Sequence, residues 1–149
     1  MEEKSIENID SEKSVWGIMQ GTSPEGDFLI RKNNSLEPFA GHNDYPFQVG
    51  VAVSRIKPSR KNWPTKKEQK LLYKIEDELE EMFKASHNCI LAVIITSDVM
   101  RELVFYAKNK DFVINKLEPY TSKPNKLRIQ FIIQEDKDWE IYRSFGETS

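Results

Sequence analysis

The sequence predicts an α+β domain, an antiparallel sheet covered by helices, and three segments carry that prediction. From Tyr45 to Ile56, apolar residues alternate with smaller or more polar ones. From Thr65 to about Ala85, they recur at helical spacing. From Cys89 to Thr96, the chain is almost continuously apolar and rich in β-branched residues. A period of two puts successive side chains on opposite faces of a strand, and a period of 3.6 builds one apolar stripe on a helix. An unbroken apolar run suits a strand that is covered on both faces.

Residues 1–14 carry alternating charges with Ile6 and Ile9 as their only aliphatics, and read as a flexible lead or a frayed helix before a single domain over residues 15–146. Val15–Gln20 is a short strand ending at Gly21, Thr22–Gly26 is turn chemistry, and Phe28–Lys32 is the return strand of a hairpin. A loop from Asn33 to Asp44 leads into the alternating strand, in which Tyr45, Phe47, Val49, Val51 and Val53 share one face. The basic stretch Lys57–Pro64 reads as a solvated connection, or as a local anion site. Thr65 and Glu68 then form a capping box, in which Thr65 accepts the N3 amide and Glu68 reaches back to the cap amide. The helix after it carries the stripe Leu72, Ile75, Leu79, Met82 and Phe83, with Leu71 at its margin.

Ser97-Asp98 is too short for anything but a tight link, so the strands Cys89–Thr96 and Met100–Ala107 are expected to be antiparallel neighbours. Asn109 or Asp111 caps a second helix bearing Phe112, Val113 and Leu117 and stopped by Pro119. Lys126–Ile133 is the last strand, and Asp136-Lys137-Asp138 opens a terminal helical turn bearing Trp139, Tyr142 and Phe145. From Tyr45 onward the order is β-α-β-β-α-β, which is the order of a ferredoxin-like plait. The predicted architecture is therefore that plait with an added N-terminal β-hairpin and a C-terminal helical turn. The hairpin either extends the sheet or covers part of its open face.

A chain of 149 residues fits one domain and can bury close to 70% of its unfolded surface without a disulfide or metal. Its 22 Lys plus Arg against 24 Asp plus Glu give a formal net charge of −2, which supplies no bulk attraction for phosphate backbones or anionic membranes. No window approaches the roughly 20 apolar residues of a membrane helix, and the N-terminal residues lack the apolar core of a signal peptide, so the cytoplasm is the expected location. Cys89 is the only cysteine and opens an apolar run, so it reads as a small buried hydrophobe.

The residues offer no signature of a reaction. His42 and His87 lie in different loops, and His87 with Cys89 is too small a ligand set for structural zinc. The six glycines are scattered rather than gathered into a phosphate loop, and no Gly-x-Ser-x-Gly elbow is present. No cofactor is expected. The basic-Gly-aromatic signature of RNA-recognition sheets is missing, which disfavours nucleic acid. What remains is a polar set, Arg31, Asn33, Arg101, Glu102, Tyr106 and Asp138, with Trp139 beside it. Such arginines either tie elements together or organise a site for carboxylate or phosphate.

The sequence also resembles a bacterial family of domains of unknown function, the one numbered 695. The resemblance rests on Trp16-Gly17, Leu29-Ile30-Arg31-Lys32-Asn33, Tyr45-Pro46, Pro64-Thr65 with Glu68, and Ile75-Glu76-Asp77. It continues through Thr96, Arg101-Glu102, Phe105-Tyr106, Asp138-Trp139 and Tyr142. It implies a small α+β domain and supplies no activity. The leading expectation is a non-enzymatic binding or interaction module whose partner is an unidentified protein, a second copy of the chain or a small anionic ligand, with no membrane. The alternative is a small hydrolase or transferase built on Arg31, Arg101, Glu102 and Tyr106. A weaker third is an immunity-type protein acting through its acidic helix.

Overall fold

The computed structural model describes residues 6, 14–24, 26–55, 64–84, 86–124 and 127–145. Six strands run through it: β1 (Trp16–Ser23), β2 (Gly26–Asn33), β3 (Phe47–Ser54), β4 (Cys89–Ser97), β5 (Met100–Ala107) and β6 (Ile129–Glu135). The helices are α1 (Lys66–Lys84), α2 (Lys110–Ser122) and α3 (Glu140–Ser144), with a 3₁₀ helix over Asn34–Phe39. The strands form one sheet in the order β1-β2-β4-β5-β3-β6, with every neighbouring pair antiparallel. The molecule is thus α+β, and the hairpin β1–β2 extends the sheet beyond β4.

Alternation assigns the two faces. Val49, Val51 and Val53 of β3 turn towards α1 and α2 and join Leu103 and Phe105 of β5 and Ile129 of β6. From the helices come Leu72, Ile75, Leu79 and Phe83 of α1, and Val113 and Leu117 of α2. Burying each such side chain stabilises the fold by roughly 1.5–3 kcal/mol before entropy is subtracted. The run in β4 serves both faces through a bulge. The register against β5 shifts between Leu91 and Val93, so Cys89 and Leu91 face the helices while Ala92 and Val93 face away. An extra residue in one strand of a ladder reverses the phase beyond it.

The opposite face has its own apolar cluster. Ile30, Val93, Val104 and Tyr106 from the strands lie under Leu36 of the 3₁₀ helix, Tyr45, Trp139 and Tyr142. Ile6, the described residue deep in the N-terminal lead, is buried in the same cluster. Trp139 stacks on Tyr106 with ring centroids 4.1 Å apart and planes inclined by 8°. Its indole donates to the Tyr45 carbonyl at 2.9 Å, and Tyr142 Oη donates to the Asn33 carbonyl at 2.7 Å. Asn33, Tyr45, Tyr106 and the C-terminal pair Trp139 and Tyr142, far apart in sequence, are thereby tied around one aromatic stack.

Several sequence expectations need correction. Tyr45 precedes β3 and packs on the face opposite Phe47 and the three valines. The segment after Asn33 winds into a 3₁₀ helix, because the Asn33 side chain accepts from the Ser35 amide. Pro119 does not stop α2, which runs to Ser122 and buries Tyr120. Pro119 and Asn115 are both exposed, so the carbonyl that loses its donor faces solvent and the interruption is tolerated. The basic stretch Lys57–Pro64 lies, apart from Pro64, outside the described residues. No helix among the described residues is long and apolar enough to cross a membrane.

The aromatic closure yields a first prediction. Trp139→Ala should lower unfolding free energy by about 3–5 kcal/mol, as for other large-to-small aromatic truncations in a core, measured by urea denaturation.

Candidate functional site: a buried arginine–glutamate cluster beneath α1

The apolar stripe of α1 contains two acidic residues. Glu68, Leu72 and Glu76 follow at intervals of four, so helical geometry carries both carboxylates to the sheet side, and both are buried. Three arginines meet them. Arg55, immediately after β3, donates from Nη2 and Nε to Glu68 Oε1 at 2.8 and 3.1 Å, and from Nη1 to the Ser97 carbonyl at 3.2 Å. Arg31 on β2 reaches Glu76 Oε1 at 3.4 Å. Arg101 on β5 donates from Nε to Thr96 Oγ1 at 3.0 Å and from Nη2 to Gln69 Oε1 at 3.4 Å.

The remaining nitrogen of Arg101 is the exception. Nη1 is buried, makes no hydrogen bond among the described residues, and lies 4.0 Å from Glu76 Oε1. Buried donors are almost always paired, so an orphaned guanidinium N–H needs a reason. Two aromatic rings flank the pair: Arg31 lies over Trp16 at 5.4 Å and Arg101 over Tyr73 at 5.5 Å. The Arg31 side chain retains 27% of its exposure and Tyr73 is also exposed, so solvent reaches the cluster from that side. Burial raises the Glu76 carboxyl above its ordinary value, and the neighbouring Arg31 and Arg101 offset this only in part. Burial likewise lowers Arg101, with Glu76 opposing it. Among these five side chains, three cations face two carboxylates.

The sequence candidates divide between the faces. Arg31 and Arg101 join the cluster. Asn33, at the end of β2, donates to the Leu91 carbonyl at 3.4 Å and accepts from Ser35, a structural role. Glu102 and Tyr106 alternate with Arg101 along β5 and therefore point to the opposite face. Tyr106 is in the aromatic stack, and its hydroxyl donates to Asp136 Oδ2 at 2.8 Å. Trp139 is fully buried beside it, whereas Asp138 is exposed. The single pocket of Arg31, Arg101, Glu102 and Tyr106 that the enzymatic alternative requires is not formed, since the sheet stands between the two pairs.

Sequence reasoning missed Arg55 and Glu76 as site residues, and assigned Glu68 to capping. The Thr65 hydroxyl does accept the Glu68 amide at 3.2 Å, but Glu68 Oε1 is engaged by Arg55. The available signal was acidic residues at core spacing within an apolar stripe. Asp136, rather than Asp138, organises the C-terminal turn, accepting from the Glu140 and Ile141 amides as well as from Tyr106.

Two further residues bear on chemistry. Cys89 is buried in the helix-side core, and burial pushes its thiol well up, which keeps it in the unreactive form. Among the described residues no three His, Cys, Asp or Glu side chains gather as metal ligands. Glu102 is half-buried beside Ile95 and Ala52, its cross-strand neighbours, and a Cβ on Gly50 would come within 3.2 Å of Glu102 Oε1. Glycine there leaves room for the carboxyl, which desolvation raises above its ordinary value.

These environments predict distinct mutational responses. Glu68→Ala deprives buried Arg55 of its carboxylate and should cost about 3–5 kcal/mol by urea denaturation. Glu102→Gln should stabilise the protein at neutral pH, because it removes a charge that burial disfavours. A raised folded-state carboxyl binds its proton more readily than the unfolded one, so the wild type loses stability as pH rises above the ordinary value of 4.5. The advantage of Glu102→Gln should therefore shrink as pH falls below that value, as paired urea titrations at neutral and acid pH would show.

Residues 15–145 match the model of a family of unknown function, DUF695. No curated protein and no solved structure matches the chain. The matched span runs from the residue before β1 through α3 and so takes in the whole sheet, the helix-side core, the second cluster apart from Ile6, and every residue of the arginine–glutamate site. The chain belongs to the DUF695 family.

Proposed function

We propose that this protein is a non-enzymatic binding module that recognises a small anionic group, a carboxylate or a phosphate, at the arginine cluster beneath α1. The observation that carries the reading is the orphaned Nη1 of Arg101, a buried cationic donor that makes no hydrogen bond among the described residues and lies 4.0 Å from the Glu76 carboxylate that Arg31 also engages. Glu76 occupies part of the anion position, at 3.4 Å from Arg31 and 4.0 Å from Arg101. An incoming anion engages Arg31 first, because its side chain is the more exposed, and reaches Arg101 when Tyr73 swings aside. Charge-assisted hydrogen bonds of this type are roughly twice as strong as neutral ones, and a guanidinium pair matches the geometry of a carboxylate or phosphate.

We infer also that the part of the fold from β3 to β6 is a ferredoxin-like plait with the hairpin appended. Three features support this: β3 lies between β5 and β6, β4 lies outside β5, and α1 and α2 pack on the same face. In this arrangement the anion site sits between the first helix and the sheet, at the end of β3 that leads towards α1. The cytoplasm remains the proposed location.

Thermal-shift and calorimetric titrations with inorganic phosphate and with succinate, at ionic strength matched by chloride, test the reading. Either anion should raise the melting temperature, with about 2.7 kcal/mol of stabilisation at a hundredfold excess over Kd. Arg31→Gln should abolish the shift, and Glu76→Gln should strengthen it by vacating the anion position. Absence of any shift beyond that of chloride would overturn the assignment.

A further inference from the structure

The sheet has two outer strands, β1 and β6, and they differ in how they meet solvent. Edge strands expose unpaired N–H and C=O groups, and proteins commonly protect them with charges, prolines or bulges. β6 is bracketed by charge: Arg128 precedes it, and Glu135 at its end pairs with Lys137 at 3.0 Å. Among the described residues β1 has no such protection. From Val15 through Ser23 there is no charged residue and no proline, and Val15 and Ile18 are 68% and 54% exposed.

The hydrogen-bond ladder fixes which backbone groups face out. Asn34 N–H donates to the Val15 carbonyl at 2.8 Å, and the register from Trp16↔Asn33 to Ser23↔Gly26 continues without a shift. In an antiparallel pair the bonded positions alternate, so residues 17, 19 and 21 exchange bonds with β2. Ile18, Gln20 and Thr22 therefore turn their N–H and C=O groups away from the sheet. The edge is held in shape from behind: β1 and β2 pair along their full length, and the Phe28 ring lies so close over Gly21 that there is no room for a Cβ at that position. A preformed strand loses little freedom on pairing.

We propose that the outer edge of β1 is a self-association surface, on which a second copy of this chain pairs its own β1 antiparallel about a two-fold axis at Met19. In that register Ile18 lies opposite Gln20 of the second copy, and the reverse. Both positions carry outward backbone groups, so the two pairs exchange hydrogen bonds across the axis. Gly17 faces Gly21, and Met19 faces its own copy. An edge carrying charge would oppose itself across a two-fold axis, whereas this neutral segment meets its copy without repulsion. The result is a continuous sheet through both subunits, and it extends beyond the anion-binding reading without depending on it.

Sedimentation of the full chain over a concentration series is the test. The wild type should pass from the 17.4 kDa monomer to a species of twice that mass. Gln20→Pro removes one outward N–H while leaving the ladder to β2 intact, and should remain monomeric with an unchanged circular-dichroism spectrum. Ile18→Lys, which places like charges across the axis, should do the same if the proline variant fails to fold. Met19→Cys should form an intermolecular disulfide on mild oxidation, since directly opposed Cα atoms at a non-bonded pair lie about 4.5 Å apart. The buried Cys89 does not compete. A monomer at every concentration, a dimer that survives both edge variants, or crosslinking through Ile132→Cys on β6 in place of Met19→Cys would overturn the proposal.

Discussion

The stack of Trp139 on Tyr106 is the contact on which the architecture of the second sheet face depends. Helices α1 and α2 both lie on one side, which leaves the centre of β2, β4 and β5 to be covered by short elements. Those elements have little intrinsic stability: α3 has five residues and the 3₁₀ helix six. The indole anchors them by stacking on β5 and donating to Tyr45, while Tyr142 binds back to Asn33. The backbone at Trp139 takes a left-handed conformation, with φ of 55°. That is an unfavourable state for a bulky residue, of order 1–3 kcal/mol, and full burial of the ring with its hydrogen bond offsets it.

On the helix side the governing constraint is the desolvation of charge. Arg101 stands on a central strand, where a guanidinium must be satisfied by its surroundings or left at high cost. The fold meets this by turning Glu68 and Glu76 inward from α1 and by bringing Arg55 and Arg31 to the same layer. The network ties α1 to three points of the sheet layer, since Glu68 binds Arg55 after β3 and Glu76 lies between Arg31 of β2 and Arg101 of β5. The match is incomplete at Arg101 Nη1, and that incompleteness connects the fold to the proposed recognition of an anion.

Local patterns made much of this legible. The alternation of Phe47–Ser54, the stripe of α1 and the tight link between β4 and β5 each depend on neighbours in sequence, and each element formed where its pattern lay. Boundaries shifted by a few residues, as at β6, which begins at Ile129 rather than at Lys126. Pro119 shows why a local rule can fail: a helix tolerates the lost bond where the affected carbonyl faces water. The site was harder to read. Of the polar set, Arg31 and Arg101 meet at one site, whereas alternation along β5 separates Arg101 from Glu102 and Tyr106 by the thickness of the sheet.

By itself the sequence determined most of the elements and the apolar faces of α1 and β3, because periodicity and capping act over a few residues. It also determined that β1 would be a neutral strand and that Cys89 would lie in a core. Tertiary structure alone decided which charges meet. Strand order brings β2 beside β4, and with it Arg31 into reach of Glu76 some 45 residues away. The same pairing makes β1 an edge, and the return of the C-terminus over β5 sets Trp139 on Tyr106. The physical reason is common to all three: pairing between distant strands depends on the summed burial of the whole sheet, and no local segment of the chain encodes it.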